Sequence, residues 1–370
     1  MKKVLLNAKT LALALTTTVF LSCSDNTSEV IDQTVDYKAT ITNLADNVFT
    51  ATYKNLDDQA TVLKTKLDAL QTTQNATTLK EARDAWRATR QPWENSEAFL
   101  FGPAGETGSG ALSLDGKLDS WPVAVNDLET FLIGTVNISS TTVAGHDDTW
   151  KGFHGIEYLL WGATGVKTSA DFTPRELSYL TFLSAELKNN TSALYSGWTS
   201  GGFAAIFKAA GSTAGKEWTS QKSALQAATN VGVTGDLSGM YNIANEVATG
   251  KIAAAFGNSE EEESRFSHNS KTDFMNNIRS IQNVYLGTYG SSSNGKGIGE
   301  IVSEKNAVLH TRFITEMATA INAIDAINGT FTEAIVNDRT GIQNAIDKVT
   351  IVANSIQNDI APIIVSLVTK

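Results

Sequence analysis

Apolar residues recur at helical spacing along most of this 370-residue chain, and this pattern constrains the fold more than any other feature. Two stripes near the start, Ile41–Phe49 and Leu56–Leu70, show it plainly. The chain contains five prolines, so few residues interrupt a helix, and no segment shows the strong polar–apolar alternation of a half-buried strand. We therefore predict an all-α protein.

Local signals predict where some helices begin and end. The run Thr173-Pro174-Arg175-Glu176 combines an N-cap threonine, a proline at the first helical position and a glutamate at the third. We expect this helix to continue to about Trp198, and a second helix to run from about Gly202 to Ala228. Leu79–Phe101 is expected to form a long helix that Pro92 kinks or splits.

The N-terminal segment has the pattern of a bacterial lipoprotein signal. A basic start and the apolar run Leu11–Leu21 precede Cys23, the only cysteine in the chain. We predict a signal peptide at residues 1–22, lipidation of Cys23, and a flexible polar tether at residues 23–34; the alternative is an ordinary secretory signal with an incidental cysteine. Ser24 is compatible with an outer-membrane destination. A single cysteine excludes a disulfide within the chain and a site with several cysteine ligands.

The charge balance limits the classes of partner. The segment before Cys23 contains three lysines and no acid, so the net charge falls from −10 in the full chain to −13 in the mature protein. An acidic protein of this kind is not expected to bind nucleic acid, or anionic lipid by electrostatic attraction. The charge suits a cationic ligand, and it also serves solubility.

The stretch Lys151–Gly162, with the sequence KGFHGIEYLLWG, carries the most suggestive pair of polar residues. His154 and Glu157 are three residues apart, so on a helix their side chains share one face. An imidazole and a carboxylate on an otherwise apolar helix can ligate a metal ion. They can equally form a hydrogen-bonded pair in the core, and the spacing leaves both interpretations open.

A second group of charged residues precedes the loop at Gly102. Glu94 and Glu97 are also three residues apart, and aromatic side chains surround them. A carboxylate buried in such surroundings needs a partner, because unpaired burial is costly. Helical bundles that bind iron or manganese use inward carboxylates and a Glu/His pair at this spacing.

Three stretches together resemble the imelysin-like family, the M75 peptidase group: Ala82–Pro103, Gly152–Gly162 and Glu263–Ser270. The family's G-x-H-x-x-E motif is matched by Gly152, His154 and Glu157. The resemblance implies two helical domains, similar to four-helix bundles and related by internal duplication, with a site at their interface. We place these domains at residues 35–168 and 169–370. A weak internal echo between Ala82–Gly102 and Phe274–Gly290 agrees with a duplication.

The resemblance also implies roles for individual residues. His154, Glu157 and Glu97 are the expected metal ligands. The wall of the site is expected to contain Trp86, Arg90, Glu94, Ser267 and His268. Glu263 and Arg265 belong to the third stretch, and could equally form a local ion pair.

These features lead to three functional hypotheses. The first is a lipid-anchored protein of the bacterial envelope, with the outer membrane expected, that binds a metal ion through the G-x-H-x-x-E motif and acts with other envelope components in iron uptake. Iron is the expected ion and zinc the alternative. The second is an envelope metallopeptidase, and the third a module that binds a small ligand or partner in the same cleft without a metal. We predict no catalytic residue, because the chain lacks the H-E-x-x-H motif and only Glu94 would remain as a base if Glu157 ligates the metal.

Overall fold

The computed structural model describes residues 35–108, 110–212, 214, 217–230, 238–290 and 295–369. Within these residues the protein is helical and contains no β-strand, and an isolated parallel bridge joins Val35 and Thr369. The prediction of an all-α fold is confirmed. The predicted signal peptide, Cys23 and the tether lie outside the described residues. In the described part, no helix is both long enough and apolar enough to span a membrane.

Eighteen α-helices lie within the described residues. The first nine are α1 Lys38–Asn43, α2 Thr50–Thr72, α3 Ala76–Glu94, α4 Asp115–Asp119, α5 Val125–Ile133, α6 Ser140–Ala144, α7 Gly152–Trp161, α8 Pro174–Trp198 and α9 Phe203–Lys208. The other nine are α10 Gln221–Thr229, α11 Met240–Glu246, α12 Ala253–Gly257, α13 Ser270–Leu286, α14 Ile298–Lys305, α15 Ala307–Asp325, α16 Phe331–Asn337, α17 Arg339–Ser355 and α18 Ala361–Val365. Short π-helical turns occur at Leu44–Phe49, Val247–Ile252 and Ile356–Ile360, and 3₁₀ turns at Glu97–Phe99, Asp148–Trp150, Ser169–Asp171 and Ser259–Glu261.

The local signals predicted some helix limits correctly and missed others. Thr173 and Glu176 form a reciprocal capping box at the start of α8, which ends at Trp198 as expected. The single helix predicted from Gly202 to Ala228 is wrong, because α9 ends at Lys208 and α10 begins at Gln221. Gly211 between them has a φ of +81°, which a right-handed helix cannot accommodate. Pro92 lies within the last turn of α3, which ends at Glu94.

The long helices pack in two groups. In the first group, α2 packs along α3 and α8, and α7 packs against both α3 and α8. In the second, α13 and α17 each pack against both α11 and α15. The two groups meet where α3 contacts α13. The predicted domain boundary at residues 168 and 169 stays a prediction, as does the duplication; α8, which follows that boundary, packs against α2 and α7, which precede it.

Candidate metal centre

Helix α7 carries the G-x-H-x-x-E motif through the interior, and all ten of its residues are buried. A histidine and a glutamate in such a helix require hydrogen-bond partners. His154 Nδ1 donates to Glu157 Oε2 at 2.9 Å. Glu157 Oε1 accepts from the backbone N–H and the hydroxyl of Ser267, at 2.8 and 2.7 Å. Both carboxylate oxygens of Glu157 are therefore engaged, and the other ring nitrogen of His154 faces away from them.

The first glycine of the motif explains how α7 meets its neighbour α4. Gly152 has a φ of +60°, and a Cβ atom at this position would lie 2.3 Å from the carbonyl oxygen of Leu118. Only glycine tolerates both the left-handed conformation and this approach. The absence of a side chain at Gly152 thus lets the start of α7 touch the end of α4, where Asp119 follows Leu118.

This contact places Asp119 beside the second ring nitrogen of His154. The distance from Asp119 Oδ1 to His154 Nε2 is 3.0 Å, and Glu263 Oε1 lies 3.8 Å from the same nitrogen. Nε2 is fully buried, and it pairs with the Asp119 carboxylate. One ligand atom from each of the three residues lies within 4.8 Å of the others, a spacing suited to a metal ion. The indole of Trp121 covers the imidazole, with ring centroids 4.8 Å apart.

Arg90 supplies a permanent positive charge beside these acids. Its guanidinium is fully buried and forms ion pairs with Asp119 and Glu263, with Glu94 at 2.5 Å and with Asp273 at 3.5 Å. A planar guanidinium with five donors can hold several carboxylates in fixed positions. Arg90 therefore links α3 to α4, to α13 and to the segment that carries Glu263.

The electrostatics keep the two carboxylates that face His154 Nε2 ionised. Burial alone would raise the pKa of Asp119, but Arg90 and His154 hold it well below its usual range. Burial opposes ionisation of Glu263 as well, and Lys251, Arg90 and His154 lower its pKa to about 2. Burial and Arg90 lower the pKa of His154, but the nearby Asp119, Glu157 and Glu263 outweigh them and raise it well above its usual value. Two anionic carboxylates thus face His154 Nε2 and favour the protonated form of the ring.

A second acidic group adjoins the first and shares Asp119 with it. Glu94, Glu97 and Asp119 each offer an oxygen within 4.8 Å of the others. Burial raises the pKa of Glu94 and of Glu97 well above the usual range, although Arg90 opposes this at Glu94 and Lys251 at Glu97. Glu94 Oε2 accepts from the amide of Asn277 on α13. The two groups together form one buried acidic cluster, which consists of Glu94, Glu97, Asp119, His154 and Glu263. Arg90 and Lys251 are the cations that pair with it.

The remaining residues predicted for the wall lie at different distances from this cluster. Trp86 packs behind α7, and its indole N–H donates to the carbonyl of Phe153 at 2.9 Å. Ser267 is at the site through Glu157. His268 is exposed, and its Nδ1 lies 3.3 Å from the Thr332 hydroxyl.

The alternative of a local ion pair between Glu263 and Arg265 is wrong. Arg265 pairs with Glu260, whereas Glu263 pairs with Arg90 and Lys251. Within the acidic run Glu260–Glu263, the Glu260 side chain therefore lies at the surface and the Glu263 side chain in the buried cluster.

A polar cavity of about 800 Å³ lies near Trp121, the residue whose indole covers the His154 imidazole. Its lining includes Arg265 and Phe266, and both of these side chains contact the Trp121 ring. The Arg265 guanidinium carbon is 5.8 Å from the Trp121 ring centroid. Trp121 thus has the cavity wall as one neighbour and His154 as another.

Sequence reasoning missed several members of the cluster. Asp119 stands in a short helix before Trp121-Pro122, where no spacing pattern marks it. Asp273 and Lys251 lie on helical segments, and the sequence alone suggests that their charged side chains face solvent. The only available signal concerned Glu263, which begins the third stretch that resembles the imelysin-like family.

The sequence of the chain matches one protein family over most of its length. The sequence model of the family described as Imelysin, Peptidase M75, matches residues 49–356. The chain therefore belongs to the imelysin family, and the resemblance seen in the sequence is confirmed.

Individual relatives agree with this assignment. Iron-regulated protein A of Synechococcus elongatus is 25% identical over 351 residues, which is 94% of this chain and 90% of the relative. The crystal structure of a proposed iron-regulated protein A precursor from Parabacteroides distasonis is similar with a TM-score of 0.75 and 27% identity, covering 90% of this chain and 95% of that one. An imelysin-like protein from Psychrobacter arcticus has the same fold, with a TM-score of 0.69 and 13% identity over 90% of this chain and 96% of that one.

Proposed function

We propose that this protein binds a metal ion at Asp119, His154 and Glu263, with iron the expected ion and zinc the alternative. The observation that carries the proposal is the buried group formed by His154 Nε2 and one carboxylate oxygen each from Asp119 and Glu263, which all lie within 4.8 Å of one another. Two ionised carboxylates buried beside one imidazole favour a cation. A metal ion bound to Nε2 would take the place of the proton that this nitrogen otherwise carries.

The surroundings of His154 match those of a metal-binding histidine. Such a histidine almost always donates its other ring N–H to a carboxylate or carbonyl, which fixes the tautomer and orients the ring. Glu157 is this carboxylate, because it accepts from His154 Nδ1, and Ser267 in turn donates to Glu157. In this proposal Glu157 orients the ligand His154, and Asp119 and Glu263 complete the set. Glu97 belongs to the adjoining acidic group, which shares Asp119.

The donor chemistry and the relatives both favour iron. One imidazole with carboxylate oxygens suits a hard or borderline ion such as iron or manganese better than a thiophilic one. The relative from Synechococcus elongatus is named iron-regulated protein A. We propose that this chain acts in iron uptake with other components of the bacterial envelope, to which Cys23 would anchor it by a lipid, with the outer membrane the expected location.

The geometry supports binding more than peptide hydrolysis. A metallopeptidase needs a carboxylate that is free to take a proton from a metal-bound water. Glu157 is held by His154 and Ser267, and Glu94 by Arg90 and Asn277. Neither is placed as a mobile base, and we therefore assign no catalytic residue.

One observation favours a second candidate function without a metal. Arg90 already forms ion pairs with four carboxylates, so the cluster has a cation of its own. In that case the buried network would be structural, and a ligand or partner would bind in the polar cavity beside Trp121.

A metal titration separates the two candidates. The mature protein is titrated with Fe²⁺ under anaerobic conditions, and with Mn²⁺ and Zn²⁺, by calorimetry. We expect one ion per chain for the wild type, and a loss of at least tenfold in affinity for His154→Ala. His310→Ala is the control, because His310 is a half-buried histidine whose ring nitrogen contacts Tyr285 outside the cluster. Circular dichroism checks the fold. A correctly folded wild type without affinity for any of the three ions would overturn the proposal.

A further inference from the structure

Lys251 is the second cation of the buried acidic cluster, and it contacts a proposed metal ligand directly. It lies in the π-helical turn Val247–Ile252 between α11 and α12. Its ammonium is 2.8 Å from Glu263 Oε2 and 3.1 Å from Oε1, and its side chain is 11% exposed. The Lys251 ammonium therefore donates to both carboxylate oxygens of Glu263.

The two cations of the cluster differ in how readily they can move. Arg90 is fixed by four carboxylates, and a guanidinium is a rigid planar group. Among the described residues, Lys251 makes ion-pair contacts only with Glu263, through a flexible four-carbon stem with a compact ammonium group. A charge on such a stem can leave one carboxylate for another within its reach.

A second acidic partner stands close to Lys251. Glu246 precedes it on the same helical segment, and the two side chains are close enough for Lys251 to lower the pKa of Glu246 against the effect of burial. Glu246 is only half-buried, so it lies nearer to solvent than Glu263. Withdrawal toward Glu246 would free Glu263 Oε2 and leave Oε1 to Arg90 alone, while keeping the ammonium paired.

We infer that Lys251 is a tethered competitor for the metal ion: it neutralises Glu263 when no metal is bound and withdraws when a cation takes its place. This inference rests on the proposed metal site. It means that the site holds its ion reversibly, because every binding event displaces an internal cation and every release restores it. Such a device suits a protein that carries a metal ion onward rather than one that keeps it permanently.

The test compares metal affinity in variants that remove or keep this charge. Mn²⁺ is the probe because it is stable in air, and Fe²⁺ is repeated anaerobically. We expect Lys251→Met to lower the Kd at least tenfold, which corresponds to about 1.4 kcal/mol. Lys251→Arg retains the charge and should stay within threefold of the wild type. Lys188→Met is the matched control, since Lys188 is partly buried and paired with Asp57, at 2.7 Å, outside the cluster.

Thermal unfolding provides a second readout. Without metal, Lys251→Met should melt below the wild type, because Glu263 loses a partner. With saturating Mn²⁺ it should gain more in Tm than the wild type does. If this variant does not fold without metal, refolding on addition of Mn²⁺ supports the inference, and failure to refold contradicts it.

The outcomes also separate this inference from the proposed function. If the wild type binds Mn²⁺ and Lys251→Met binds it equally or more weakly, Lys251 is not a competitor, while the metal site stands. If neither the wild type nor any Lys251 variant binds Mn²⁺ or Fe²⁺, the proposed metal site fails and this inference fails with it.

Discussion

Asp119 Oδ1 lies 3.0 Å from His154 Nε2, although the two residues belong to different helices and Asp119 has no place in the G-x-H-x-x-E motif. Trp93 fixes the other oxygen of Asp119, because its indole N–H donates to Oδ2 at 2.6 Å. The aspartate is thus aligned on the histidine by a neighbour on α3. The following predictions test what this arrangement does.

Removing the charge of Asp119 should weaken metal binding more than any change at the protein surface. Asp119→Asn keeps the shape of the side chain and loses an anionic ligand, so we expect at least a hundredfold loss of affinity by calorimetry. Asp68→Asn is the control, since Asp68 forms an exposed pair with Lys64, and it should bind as the wild type does. Equal affinities in a folded Asp119→Asn protein would rule Asp119 out as a ligand.

The role of Glu157 is tested by the size of its effect relative to the ligands. If Glu157 orients His154 without touching the metal, Glu157→Gln should cost about 10- to 100-fold in affinity. Asp119→Asn and Glu263→Gln should each cost more. A greater loss in Glu157→Gln than in either of these would indicate that Glu157 is itself a ligand, as the motif suggested. Near-ultraviolet circular dichroism serves as the check on packing.

Arg90 should be essential for stability. Arg90→Met leaves four buried carboxylates without their shared cation, and we expect the free energy of unfolding in urea to fall by about 3–5 kcal/mol. Arg312→Met is the comparison, because the Arg312 side chain is 49% exposed and its ion pairs lie at the surface. That variant should lose less than about 1 kcal/mol. Similar losses in both variants would contradict the structural role assigned to Arg90.

The first glycine of the motif should not tolerate a side chain. Gly152→Ala forces alanine to a φ of +60° and brings its Cβ to 2.3 Å from the Leu118 carbonyl oxygen. We expect a loss of at least about 2 kcal/mol, measured by urea unfolding. Gly257→Ala is the matched control, because no heavy atom lies within 4 Å of the added Cβ. It should be neutral or stabilising by up to about 1 kcal/mol; a Gly152→Ala protein of equal stability would refute the packing argument.

Lipidation at Cys23 can be tested in bacterial cells that process lipoproteins. Wild-type protein should incorporate labelled palmitate and sediment with the envelope. Cys23→Ser should do neither, because the thiol is the site of acylation. Ser22→Ala, which leaves the cysteine in place, is the control. Palmitate label on Cys23→Ser would show that another residue is acylated, and absence of label from the wild type would support an ordinary secretory signal.

Part of the fold and of the site was predictable because it depends on neighbours in the sequence. The apolar periodicity predicted helices, and the Thr173–Glu176 pair predicted the start of α8. The contact between His154 and Glu157 follows from their spacing on one helix, and the structure contains it. The predicted helix over residues 202–228 failed where Gly211 leaves the helical region, which no periodicity reveals.

The sequence by itself determined most of the helices, the family motif and the placement of its histidine and glutamate on one helix face, since all of these depend on residues within a few positions of one another. Only the tertiary structure decided which other charges meet that pair. Asp119, Glu263 and Lys251 come together through the close approach at Gly152, the shared ion pairs of Arg90 and the path of the chain after α12. Burial then strengthens the electrostatic interactions among these side chains, because a low-dielectric interior does not screen them as water would.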